Sequence, residues 1–188
     1  MAIAKRTRFI MAITLQIAVI FTMIAYKVSI LRGGAEVLLK IEPLDPRDML
    51  RGDYITFQYA ISNLDQGLLQ GTPVRNGDTV YVTLLESGKF WTAYTVHSTK
   101  PQGDALLFLK GKVASGGLAS GASPADSHLA RGSRIHVVYG IEEYFIPEGK
   151  GRGINLRGIM NESFARVAID RNGKAVLRQI HLDGKPWP

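Results

Sequence analysis

The chain has 188 residues, 46% hydrophobic and 21% charged, with a mean hydropathy of +0.04, which excludes a disordered or collagen-like polypeptide. It contains no cysteine, so a disulfide framework, a thiolate catalyst and a cysteine-ligated zinc site are excluded as well. The net charge is +7 and the pI about 9.7, but residues 1–32 carry +5 of it through Lys5, Arg6, Arg8, Lys27 and Arg32, and the rest only +2, so the charge speaks for a membrane and against nucleic acid.

From Phe9 to Ala25 the sequence runs 17 residues without a charge, and Gln16 is its only strongly polar member. Extension to Leu31 gives 23 residues, about 34 Å of helix at roughly 1.5 Å per residue and enough to cross a bilayer core. Lys27 can snorkel to the interface beside Tyr26, an aromatic anchor. The bases before the span predict a short cytoplasmic tail (1–8), a transmembrane helix (9–31) and an extracytoplasmic remainder (32–188). The cytoplasmic (inner) membrane of a bacterium, with the C-terminal part in the periplasm, is the expected location. A cleaved signal peptide is the rival reading, but its apolar core is shorter and ends at a small-x-small site, whereas here only Gly33-Gly34-Ala35 approaches one. Thr14, Ala18, Thr22 and Ala25 share one helical face, where small side chains allow a second helix to come close, and Gln16 could hydrogen-bond to that partner.

Beyond Gly33-Gly34 the apolar period changes to two. Strands are predicted at Glu36–Glu42, Tyr54–Tyr59, Thr79–Glu86, Phe90–Thr99, Ala105–Val113, Arg134–Tyr139, Phe164–Ile169 and Ala175–His181. Asn76-Gly77-Asp78 reads as a turn, and Ser87-Gly88 and Asn172-Gly173 as hairpin tips. The expected fold is mainly β: a compact antiparallel β-sandwich or barrel-like domain behind a single transmembrane helix. A short helical turn is expected near 155–161. Residues 114–132, rich in Gly, Ala and Ser, read as a flexible loop. Residues 33–109 carry net −3 and 110–188 net +5, and Arg152, Arg157, Arg166, Lys174 and Arg178 suit a solvated surface or anionic headgroups.

The densest segment is 44–59. Asp45-Pro46 favours a turn, Arg47, Asp48, Arg51 and Asp53 alternate in sign, and Gly52 permits a positive φ before the strand that starts at Tyr54. A rigid ion-paired turn and a surface built to dock a partner both fit these residues. Gly52-Asp53-Tyr54-Ile55-Thr56-Phe57-Gln58-Tyr59 resembles the motif of the GDYXXLXY family of membrane-anchored bacterial proteins. Residues 45–51 resemble its lead-in, 143–149 (EYFIPEG) its second block, and 180–184 its closing strand and turn. Phe57 stands where the motif has Leu, and the Gly/Ala/Ser insertion is a further departure. The family has no established activity. The resemblance implies a one-pass anchored protein beside, or fused to, polytopic membrane domains.

Catalytic readings fare worse. The anchor followed by Pro-Arg-Asp-Met-Leu-Arg-Gly-Asp-Tyr loosely resembles type I signal peptidases, but Pro43, Leu44 and Asp45 stand where a nucleophilic serine is needed. Asp48 with Asp53, or Glu143 with Glu148, could form an acid–base pair only in a cleft that splits their pKa values, and neighbouring arginines hold the aspartates ionised. His97, His128, His136 and His181 lack metal-ligand spacing. The Arg51-Gly52-Asp53 tripeptide, the Asn161-Glu162-Ser163 sequon and the basic GKGRG of 149–153 lack a context that would give them meaning.

The expectation is a non-enzymatic accessory subunit without cofactor or metal, docked on an integral membrane protein complex within the lipid bilayer. Its docking or structural signature would be Asp45, Arg47, Asp48, Arg51, Gly52, Asp53, Tyr54 and Tyr59, supported by Tyr144 and Glu148. The alternative is an anchored hydrolase or small-ligand-binding module that uses the acidic segment.

Overall fold

The computed structural model describes residues 2–42, 54–103, 106–118, 134–145, 163–182 and 184–187. Helix α1 (Ala2–Gly33) takes up the apolar run, in which neither glycine nor proline interrupts the turn-by-turn hydrogen bonding before Gly33. The Gly34 N–H donates to the Ile30 carbonyl at 2.8 Å and closes the helix. Every large apolar side chain from Phe9 to Ile24 is exposed, and the helix is long and apolar enough to cross a membrane.

The remaining described elements are almost all strands. They are β1 (Ala35–Glu42), β2 (Tyr54–Thr56), β3 (Gln58–Tyr59), β4 (Asn63–Asp65), β5 (Leu69–Gln70), β6 (Thr79–Ser87), β7 (Phe90–His97), β8 (Phe108–Ser115), β9 (Arg134–Val138), β10 (Glu143–Phe145), β11 (Phe164–Ile169), β12 (Ala175–Leu182) and β13 (Lys185–Pro186). They form a five-stranded sheet, β13-β12-β11-β1-β3, a six-stranded sheet, β4-β9-β8-β6-β7-β5, and a separate ribbon, β10-β2. Pairing between strands is antiparallel except for β5 with β7. One buried cluster joins the two sheets: Val37, Leu39 and Ile41 of β1 and Ala165, Val167 and Ile169 of β11 meet Val80 and Val82 of β6, Leu109 and Val113 of β8, and Ile135 and Val137 of β9. The alternation of buried and open positions along β1 is the period of two expected of a strand with one face in the core.

The predicted strand Tyr54–Tyr59 is two strands. Phe57 interrupts it, its N–H donating to the Glu142 carbonyl at 3.0 Å, so that β2 pairs with β10 whereas β3 pairs with β1. The Ala105–Val113 strand starts only at Phe108. At the Asn172-Gly173 tip the chain turns through a positive φ of 77° at Gly173, and the carboxylate of Asp170 accepts the N–H groups of Asn172 and Lys174, each at 2.8 Å. Of the loop expected at 114–132, residues 114–118 are described: Ser115 ends β8, and Leu118 bridges to Arg75. Residues 119–132, and the turn expected near 155–161, lie outside the described residues.

On the outer face of the five-stranded sheet, His181 stacks on Phe164 with ring centroids 4.5 Å apart. Its Nδ1 is buried and has no hydrogen-bond partner among the described residues. Burial first, then the charges of Arg166 and Lys89, lower its pKa below the ordinary histidine value. The unfolded chain takes up this proton near pH 6.5, whereas the folded domain resists it. Stability is therefore complete above that pH and declines as the pH falls below it. Urea titrations of the full-length protein between pH 7.5 and 5 should show this decline, and His181→Phe should flatten it. An unchanged slope in that variant would refute the assignment.

Candidate functional site

The two segments that carry the motif resemblance are hydrogen-bonded neighbours. In the β2–β10 ribbon Tyr54 faces Phe145, Ile55 faces Tyr144 and Thr56 faces Glu143. Tyr144 is half-buried and packs against the main core. At the far side, Lys40 pairs with Phe164, and the Ile41 N–H donates to the Ser163 carbonyl at 3.0 Å. The described residues that flank 43–53 are thus neighbours of those that flank 146–162: the end of β1 lies beside Ser163, and Tyr54 pairs with Phe145. Asp45, Arg47, Asp48, Arg51, Gly52 and Asp53 belong to the first segment and Glu148 to the second, outside the described residues, as is the Tyr54 side chain.

Tyr59, expected in the signature, is a core residue. Its side chain is 0% exposed, its hydroxyl donates to the Ile141 carbonyl at 2.6 Å, and Phe57 meets it edge-on at 5.5 Å. A ring sealed in this way cannot touch a partner, so it acts by fixing where the motif strand sits. Tyr139 mirrors it, donating to the Ile61 carbonyl at 2.6 Å. Burial, and then the neighbouring Glu142 charge, raise both phenols well above the ordinary tyrosine value, so both stay protonated donors. The Glu142 carboxylate accepts the N–H groups of Tyr139, Gly140 and Ile141 at 2.5, 2.8 and 2.8 Å, which ties the turn before β10. Sequence reasoning missed Tyr139 and Glu142. The available signal was the Tyr-Gly-Ile-Glu turn immediately before the second motif block.

At the opposite end of β1, the last turns of α1 are seated on the five-stranded sheet. Ile30, 4% exposed, packs on Ala168 and Val176. Arg178 hydrogen-bonds to the Leu31 carbonyl at 2.5 Å and pairs with Glu36, which Arg166 also approaches at 3.3 Å. The Tyr26 hydroxyl donates to Asp170 at 3.4 Å, and the Lys174 ammonium lies 4.7 Å from the Tyr26 ring centroid. Arg166, Arg178 and Lys174, grouped above as a basic face, are thus engaged at the helix junction, while Arg152 and Arg157 lie outside the described residues. The expected transmembrane segment 9–31 overlaps this seat from Tyr26 onward. Thr14, Gln16, Ala18, Thr22 and Ala25 remain on the exposed part, where the Thr14 and Thr22 hydroxyls donate to the carbonyls of Ile10 and Ala18.

Beside this seat lies an open cavity of about 1060 Å³ whose walls include Gly33, Trp91, Lys100, Leu106, Ile169 and Arg171. Among the described residues no group of three or more His, Asp or Glu side chains is arranged to hold a metal ion.

No curated protein and no solved structure matches the chain. A family model described as GDYXXLXY protein matches residues 16–180, which takes in most of α1, the paired motif segments and nearly all of β12. The chain belongs to the GDYXXLXY family.

Proposed function

We propose that the protein is a non-enzymatic accessory subunit, held in the bacterial inner membrane by α1, whose β-domain braces a larger integral membrane complex from the periplasmic side. The observation that supports this most is the pairing of β2 with β10, because it sets the described parts of the two motif blocks side by side. The exposed apolar length of α1, with its stripe of small residues, offers a second contact within the bilayer. Tethering by the helix raises effective concentration, so modest contacts at the motif blocks suffice.

Full-length protein purified from native membranes in mild detergent should bring its partner with it, identified by mass spectrometry. Asp48→Lys combined with Asp53→Lys should abolish this co-purification while the thermal transition of the domain is kept. Wild-type protein that always elutes alone, at its 20.6 kDa plus micelle, would refute the accessory role. Loss of a hydrolytic turnover with assembly intact would favour an anchored hydrolase. A C-terminal reporter active only in the periplasm tests the orientation.

A further inference from the structure

The seat of α1 sets the level at which a bilayer surface would meet the domain. The free apolar stretch from Phe9 to Ala25 has 17 residues, about 25 Å of helix and the short end of the spanning range. Tyr26 and Lys27 then fall at headgroup depth, and the Asp170–Lys174 turn lies at the same height because it touches Tyr26. The cavity adjoins this turn through Asp170 and Arg171 and reaches Gly33, about 10 Å further along the helix than Tyr26.

Its described charged lining is Glu36, Lys100, Asp170 and Arg171. Both acids are already committed: Glu36 to Arg166 and Arg178, Asp170 to the turn N–H groups and the Tyr26 hydroxyl. Lys100 and Arg171 are exposed, and Lys100 is held toward the turn by the Asn172 side chain at 2.9 Å. A guanidinium and an ammonium over the same opening suit a phosphate, the first by its planar pair of donors and the second as a point charge. Trp91 and Leu106, the latter 49% exposed, supply apolar wall next to them.

We propose that this cavity binds the phosphate headgroup of an anionic phospholipid from the bilayer that α1 crosses, an inference that rests on the membrane-anchored reading above. Native mass spectrometry of the full-length protein, released from detergent with added phosphatidylglycerol or phosphatidylcholine, tests it. Phosphatidylglycerol adducts should be retained in preference, and Lys100→Glu with Arg171→Glu should reduce them at least ten-fold. Lys185→Glu, on β13 at the other end of the sheet, should leave them unchanged. The milder Lys100→Gln with Arg171→Gln, checked for an unaltered thermal transition, covers a charge-reversed variant that fails to fold. Equal retention of the two lipids, or adducts that survive the substitutions, would overturn the proposal. Inorganic phosphate bound as strongly as the lipid would overturn the assignment to a headgroup. Alkaline carbonate extraction of membranes separates the two readings: a chain that washes off defeats the anchoring and the lipid site together. A chain that stays embedded without preference for phosphatidylglycerol defeats the lipid site alone.

Discussion

Tyr59→Ala is expected to lower the stability of the domain by about 3–5 kcal/mol, the range for deleting a buried aromatic ring. The ring is fully enclosed, its edge-on contact with Phe57 is lost with it, and the Ile141 carbonyl loses its donor. Tyr59→Phe isolates the last effect and should cost about 1–3 kcal/mol, because an acceptor is stranded in the core while the packing survives. Urea denaturation of the full-length protein in detergent, followed by circular dichroism, measures both. If Tyr59→Ala were as stable as wild type, Tyr59 would have to be reassigned from the core to a surface role. The pair of variants also separates architecture from docking: Tyr59→Phe should keep whatever partner the protein holds, since no partner can reach the ring.

Gly34→Val is expected to break the junction between helix and sheet. A Cβ built on Gly34 would lie 2.6 Å from the Ile30 carbonyl oxygen and 2.8 Å from that of Ile169. Both are backbone atoms, so no side chain can swing away to make room, and a branched residue adds further crowding. Overpacking of this kind costs about 1–3 kcal/mol, and the cheapest relief is to lift Ile30 off Ala168 and Val176. The chain has no native cysteine, so spin labels can be placed at Lys27→Cys and Asn172→Cys alone. Electron–electron distance measurements should give one narrow distribution with Gly34 present and a broad one in Gly34→Val. A distribution that stays narrow would mean that the seat tolerates the substitution and that the junction is softer than its contacts imply.

Much of the β-domain was legible because its strands bury one face. Period-two alternation located β1, β6, β7, β9, β11 and β12 to within a residue or two, and Asn172-Gly173 announced its turn. The short strands β4, β5, β10 and β13 were not legible, since two or three residues carry no period and are defined only by the neighbour they pair with. The same cause hid the break at Phe57: an apolar side chain sustains the alternation while its N–H turns aside to Glu142. At the site, the motif residues were marked by composition, but their closeness to Glu143–Phe145 was not, because that pairing joins residues nearly ninety apart in sequence. Tyr59 was legible as a member of a docking or structural signature, and only its burial tells which of the two roles the ring can fill.

Strand β1 joins the helix seat at Ala35 directly to the first motif-bearing segment beyond Glu42, with Val37, Leu39 and Ile41 locked into the core between them. A strand of this length is a rod of about 23 Å at roughly 3.3 Å per residue. The strand acts as a spacer that fixes how far the helix seat at Ala35 stands from Glu42, where the chain runs on toward the motif. Shortening β1 by two residues would preserve which side chains point inward yet draw its two ends together by about 7 Å.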